Sequence, residues 1–357
     1  MLDIYKDVRK RGLPKVVVIG GGTGVSTVLL ELKKVADVTA VVSMMDSGGS
    51  SGRLRDEQGI LPPGDILKCI CELLPDDEHS RKWRDLLTYR FRKGEGLKGH
   101  SLGNLLLSAS YDWEGSPAFG IEALCWLLQI DGRVLPVTLN DVDLVARLSD
   151  GSSVVGETNI DLRTDNLSAR IEYIYLSRRA QLYQPVREAI LQADKIVIGP
   201  GSLFTSILPN LLVEGLAEAL KEAKAPKIYI CNLVTDPTET EGYKASDFIS
   251  KVTEYLMEGE CLDYVIVNDG EISDLIHRMY QKEHKLPVAV DLDRCSQLAG
   301  KIIAGPFAKG KTILRHDSRR LAQTILELGE ENSATPAESE TPFRFRNSAT
   351  ATLAVSH

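Results

Sequence analysis

Short runs of consecutive apolar residues alternate along this chain with longer stretches whose apolar residues recur at helical spacing, and most runs end in glycine, serine, asparagine or aspartate. Lys15-Val16-Val17-Val18-Ile19 reads as a buried strand that enters Gly20 to Gly24 and then a helix ending near Lys34. Val38 to Val42, Lys195 to Ile198, Lys227 to Cys231 and Tyr264 to Val267 repeat the pattern. Uninterrupted apolar runs of this length imply burial on both faces, the signature of a parallel strand covered by helices on either side. Ile66 to Leu74 and Leu105 to Tyr111 carry helical spacing, and Ser80 to Arg92 reads as a charged helix. Between Arg133 and Leu176 the texture changes to short β-rich runs separated by turns such as Asp150-Gly151, which predicts an antiparallel insertion over about 133–177.

The turns after the strands carry the chemistry. In open α/β sheets ligands bind outside the carboxyl ends of the strands, so the run Asp46 to Arg55, DSGGSSGRLR, stands where a ligand is expected. Its glycines let backbone N–H groups turn inward, Ser47, Ser50 and Ser51 add hydroxyls, and Arg53 and Arg55 add fixed positive charge, a combination suited to phosphate. The alternative is a flexible glycine-serine turn. Asp46 is the odd member and makes most sense holding a hydrated divalent metal or a substrate hydroxyl. Asp65, after Leu61-Pro62-Pro63-Gly64, falls at the cap position of a helix, either as a plain N-cap or as a second acid beside Asp46. His100 and Asn104, four apart in GHSLGN, lie close to one face at the start of a helix and are candidate ligand contacts. Gly199 to Ser206 is a third glycine turn, with Ser202 as its cap, expected to open a helix reaching about Lys224. The first turn, Gly20 to Gly24, departs from the dinucleotide fingerprint because Val25 or Thr27 stands where its last glycine belongs. The expected fold class is α/β: a Rossmann-like, doubly wound, mostly parallel sheet with a small β-rich insertion. It spans 15–329, between an N-terminal extension, 1–14, and a tail, 330–357, whose Ser, Thr, Ala, Pro and Glu content predicts disorder.

Composition narrows the function classes. A chain of 357 residues with 43% hydrophobic content can bury a large core, and a formal net charge of -8 disfavours a nucleic-acid surface. The six cysteines show no zinc spacing and read as reduced, buried thiols. No apolar signal core opens the chain and no run of about 18 apolar residues occurs, so a cytoplasmic protein without a membrane span is expected.

The ordered set GGGTG, DSGGSSGRLR, PPGD, GHSLGN, GETNI, GPGSLFTS and NLVTDPTETEGY, over roughly residues 15 to 325, resembles the 2-phospho-L-lactate transferase superfamily, and within it the bacterial gluconeogenesis factors (YvcK-like). The resemblance implies a crevice for a nucleoside diphosphate compound. It puts Asp46 and Asp65 at a metal and diphosphate, with Mg2+ as the candidate ion, and Gly22, Thr23, Ser50, Ser51 and Arg53 around them. It also places His100 and Asn104 along the crevice, Gly201 and Ser202 at its closure, and Tyr280 and Arg315 on a UDP-sugar such as UDP-N-acetylglucosamine or UDP-glucose. The function implied first is a cytosolic UDP-sugar-binding regulator, needed for growth on gluconeogenic carbon and for cell shape and envelope synthesis. A second is a transferase moving a phospholactyl-type group from a nucleoside-diphosphate donor to a deazaflavin, in which Asp46 and Asp65 would be catalytic; a third is an NAD(P)-dependent oxidoreductase. A homo-oligomer is an open expectation. Where the family usually shows Gln-Pro-Gly-Glu-Thr, this chain has Asp236-Pro237-Thr238-Glu239-Thr240.

Overall fold

The computed structural model describes residues 12–164, 167–310 and 312–329, so the expected tail and most of the expected N-terminal extension lie outside it. Seven strands form the central sheet: β1 (Lys15–Gly20), β2 (Asp37–Val42), β3 (Arg133–Pro136), β7 (Lys195–Ile198), β8 (Lys227–Ile230), β9 (Leu262–Asn268) and β10 (Ala299–Gly305). Between β3 and β7 in the chain, β4 (Leu144–Leu148), β5 (Ser153–Val155) and β6 (Ile171–Leu176) make a separate three-stranded antiparallel sheet with β4 in the middle. The central order is β10-β9-β8-β7-β1-β2-β3, and every pairing in it is parallel. This is a Rossmann-like α/β fold.

Burial explains the apolar runs. Val16 to Ile19, Val38, Ala40 to Val42, Ile196 to Ile198 and Ile228 to Ile230 are all buried, as strands covered on both faces require. Helix α1 (Gly22–Leu32) sinks Val25, Val28, Leu29 and Leu32 into this core and packs against α3 (Gly64–Leu73) and the C-terminal helix Ser318–Glu327. Between them in sequence, α2 (Gly49–Gln58) follows the turn after β2.

Three expectations are corrected. Arg133–Pro136 is the edge strand of the central sheet, pairing with β2 from Thr39 to Val42, so the antiparallel sheet begins at Leu144; a four-residue run carries too little alternation to reveal which sheet it joins. The helix expected from Ser202 to Lys224 is broken into a π-helical turn, Leu203–Ile207, and two helices, Leu208–Leu211 and Leu216–Glu222. Pro209 cannot extend the hydrogen-bond ladder behind it, and Gly215, with φ +99°, turns the chain out of the helical path. The third concerns DSGGSSGRLR, which is mostly helix: α2 starts at Gly49, so Ser50, Ser51, Arg53 and Arg55 stand on its first two turns. Among the described residues no helix is long and apolar enough to cross a membrane. Cys69, Cys71, Cys231 and Cys295 are buried free thiols, whereas Cys261 is exposed.

Candidate functional site

Strand order reverses between β1 and β7, because the chain proceeds from β1 outward through β2 and β3 and then returns to the other side of β1. At such a switch point the turns leaving the two adjacent strands diverge and leave a crevice. The two turns touch: a Cβ on Gly24 would collide with the Pro200 carbonyl, which makes glycine obligatory there. A crevice of about 1020 Å³ opens at this edge, and Gly22, Thr23, Gly24, Gly201, Ser202 and Ser206 form its floor. Gly21 caps α1 and Gly48 caps α2 without a side-chain acceptor, so N–H groups in both first turns lack intrahelical partners and face an anion's territory. Ser202 likewise makes no side-chain cap bond, which leaves its hydroxyl to the crevice.

Asp46 leaves β2 into this space, and its Oδ1 accepts the Gly48 N–H at 2.9 Å. Asp65 is the second residue of α3, not its cap; that place falls to Pro63, which has no side-chain acceptor. Freed from capping, the Asp65 carboxylate lies against Gly22, where a Cβ would come within 2.6 Å of Oδ1, and pairs with Lys68 at 2.9 Å. Glu157, at the head of α7 (Glu157–Asp161), completes an acidic wall; the Thr158 N–H donates to Ser47 Oγ at 3.0 Å and ties this short helix to the Asp46 turn. Burial, then the charge of Asp65, raises the Asp46 pKa above the usual carboxylate range; burial and then Asp46 push Glu157 up to about 7. Lys68 is lifted, since Asp65 and Asp46 outweigh the opposing effect of burial. Asp46 and Asp65 thus face one crevice and repel each other, an arrangement a divalent cation relieves. Among the described residues no three His, Cys, Asp or Glu side chains could by themselves hold a metal ion. Two carboxylates fall short of an all-protein cage, and an ion held there would complete its shell with water or ligand oxygens.

Ser50 is fixed from behind. Its hydroxyl lies 2.9 Å from His100 Nδ1 and accepts from Asn104 Nδ2 at 3.0 Å, so His100 and Asn104 meet on one serine, across the start of α5 (Leu102–Glu114) whose cap is Ser101. His100 is 1% exposed, and burial, then the nearby Arg53 charge, lowers its pKa, which keeps the ring neutral. Asn104 lines the crevice and its buried Oδ1 has no partner. Arg53 projects the other way, its Nη2 donating to the Lys98 carbonyl at 2.9 Å, and Arg55 binds Asp141 at 2.6 Å and Asp143 at 2.8 Å, outside the crevice wall.

The opposite wall comes from the C-terminal part of the chain. Asn232, Leu233 and Val234 follow β8, and Leu314, Arg315 and His316 line the crevice beside them. Tyr280, on the helix Asp274–Gln281, accepts the Leu314 N–H on its hydroxyl at 3.0 Å and so supports this segment from behind. His316 donates from Nε2 to the Cys231 carbonyl at 3.1 Å; burial lowers its pKa to about 4. Asn232 Oδ1 is a second buried acceptor without a partner. Sequence reasoning missed Lys68, Glu157 and Asn232 as site residues; GETNI and the polar run after Cys231 were their only signal. The Asp236-Pro237-Thr238-Glu239-Thr240 departure is accommodated locally: Asp236 Oδ1 accepts from the Thr238 N–H at 2.9 Å and Asp236 N donates to Thr240 Oγ1 at 2.9 Å. Glu239 turns inward, accepting from Phe204 N at 2.8 Å and from Thr205 Oγ1 at 2.5 Å, and joins this loop to the turn after β7.

Fold and site together define an α/β protein with a ligand crevice at the switch point of its parallel sheet. A family model described as 2-phospho-L-lactate transferase CofD matches residues 16–308, and the chain belongs to this family. A Thermotoga maritima protein is 43% identical over 320 residues, spanning 87% of this chain and 98% of its own length. The gluconeogenesis factor of Bacillus subtilis is 38% identical over 323 residues, spanning 89% of this chain and 99% of its own length. The crystal structure of protein BH3568 from Bacillus halodurans superposes with a TM-score of 0.83 at 39% identity, covering 88% of this chain and 100% of that one.

Proposed function

We propose that this protein binds a UDP-sugar, such as UDP-N-acetylglucosamine or UDP-glucose, in the crevice and acts as a cytoplasmic regulator in the manner of a gluconeogenesis factor, supporting growth on gluconeogenic carbon and envelope synthesis. The observation that carries the reading is the continuity of one crevice from the glycine turns at Gly22 and Gly201 to Arg315. A nucleoside diphosphate sugar needs an anion site flanked by two pockets, and a space of about 1020 Å³ is of the size that holds such a ligand. In this reading the free N–H groups of α1 and α2, with Ser50, Ser51, Ser202 and Ser206, take the diphosphate; Asn104 and Asn232 accept hydrogen bonds from sugar hydroxyls or the base imide. Asp46 and Asp65 would hold Mg2+, which, when bound, neutralises diphosphate charge.

The second reading, a transferase acting on a nucleoside-diphosphate-linked donor, is favoured by the paired acids: two carboxylates and a metal can serve group transfer as readily as binding. Calorimetric titration with UDP-N-acetylglucosamine, UDP-glucose, GDP, NAD and a deazaflavin, each with and without Mg2+, separates these readings. Binding of a UDP-sugar with no product after long incubation supports the regulator. Product formation from a nucleoside-diphosphate donor and a deazaflavin moves the assignment to the transferase.

A further inference from the structure

The crevice is lined by charges of both signs. Around the glycine turns, burial and then the Asp65 charge raise the pKa of Asp46, and burial and then Asp46 raise that of Glu157. Three arginines line it as well: Arg84 on α4 (Glu78–Thr88), Arg90 just beyond it, and Arg315. Their charges are uncommitted. Whereas Arg55 is neutralised by two aspartates, none of these three forms an ion pair among the described residues.

Two of them are nevertheless held in place. Arg84 donates from Nε to the Cys71 carbonyl at 3.0 Å, and its Nη2 is buried without a hydrogen-bond partner. Arg90 donates from Nη1 to the Gly99 carbonyl at 3.0 Å. Neutral carbonyls orient these guanidiniums without cancelling their charge. Glu72 feels both Arg84 and Arg315 yet pairs with neither; burial raises its pKa above the usual range, which weakens it as a counter-ion. A buried guanidinium nitrogen lacking a partner costs free energy, and a ligand oxygen would recover it.

We propose that Arg84, Arg90 and Arg315 form a second anion subsite, which receives a carboxylate or phosphoryl group carried by the sugar, so that the preferred ligand is an acidic nucleotide sugar. This rests on the UDP-sugar reading above. The diphosphate already has the glycine turns, so the arginines are left for a further negative group of the ligand. Arginine suits planar carboxylate and phosphate oxygens better than lysine because its donors form a fixed fork.

The test is a pair of calorimetric titrations, UDP-glucose and UDP-glucuronate, which differ only in a hydroxymethyl group against a carboxylate, on wild type, Arg84→Gln and Arg90→Gln. Wild type is expected to prefer UDP-glucuronate by about tenfold, the scale of one charge-assisted hydrogen bond, and each variant to pull that ratio toward one. Using a ratio within each protein removes any general loss of folded protein from the comparison. Equal affinities in wild type overturn the proposal; so does an equal loss for both ligands in the variants, which would place the diphosphate on the arginines. UDP-glucose 6-phosphate, bound more tightly than UDP-glucuronate and equally sensitive to Arg84→Gln, would support the subsite with phosphoryl as its group. If no UDP compound binds, the nucleotide reading fails, and inorganic phosphate then tests the arginines alone. A phosphate-induced rise in melting temperature that shrinks in the Arg84→Gln, Arg90→Gln double variant supports the subsite, and an unchanged rise overturns it.

Discussion

At the scale of single residues, the crevice concentrates unfavourable electrostatics that a ligand or ion can relieve. Asp46 is buried beside Asp65, and its pKa is raised from the ordinary aspartate value. A raised folded pKa means that folding favours the protonated form, so the ionised carboxylate opposes folding once the pH has passed through that pKa. Asp46→Asn should therefore raise the melting temperature at pH 7.5 in a chelator. In saturating Mg2+ and UDP-sugar the order should invert, because only the wild type gains from the ion. Thermal melts under both conditions check this, and a variant less stable in the chelator would contradict it. Glu239 supplies a second test. Full burial pushes its pKa up to about 8, despite the bonds from Thr205 and Phe204 that favour its charge. Its contribution to stability is fully present below the unfolded value and is lost as the pH rises through about 8. Wild type should lose stability between pH 5.5 and 9, and Glu239→Gln should flatten that slope; parallel pH profiles for the two proteins would show that Glu239 is not the group responsible.

At the scale of elements, the design depends on two strand-to-helix turns pressed together. Gly24→Ala would drive a methyl group into the Pro200 carbonyl, and the backbone on either side is anchored by strands β1 and β7. The expected cost is about 1–3 kcal/mol, the range for overpacking, measured as a shift in urea midpoint. Loss of ligand affinity should accompany it, since the same turns form the crevice floor. An alanine variant as stable as wild type would mean the turns separate easily.

Much of this was legible in the chain because buried parallel strands write themselves as apolar runs: Val16 to Ile19, Val38 to Val42 and Lys195 to Ile198 were readable, and the glycine turns after them followed from the fold. What could not be read were distances between segments remote in sequence. His100 and Asn104 appeared as neighbours on a helix, but their joint purpose, fixing Ser50, crosses 50 and 54 residues. Arg53 stood in the most ligand-like stretch, yet the helical rotation beginning at Gly49 sends it to the Lys98 carbonyl. Arg84 lay unmarked within the charged helix read over Ser80 to Arg92, because nothing in a sequence says which face of α4 borders a cavity.

For the whole molecule, strand order β10-β9-β8-β7-β1-β2-β3 sets where everything else can happen. The switch between β1 and β7 opens the crevice, the antiparallel insertion contributes α7 with Glu157 and Asp161, and the C-terminal segment closes the far side with Arg315. Elements separated by nearly 300 positions thus build one site. The central claim is that a UDP-sugar occupies it from end to end. The most direct measurement is calorimetric titration of UDP-N-acetylglucosamine into wild type and Asn232→Ala, with circular dichroism confirming that both are folded. A single saturable site in wild type, weakened about fivefold or more in Asn232→Ala, is the predicted result, since the variant removes a buried acceptor that has no protein partner and that the ligand would engage. No saturable binding to wild type, or the same affinity in both proteins, would contradict it.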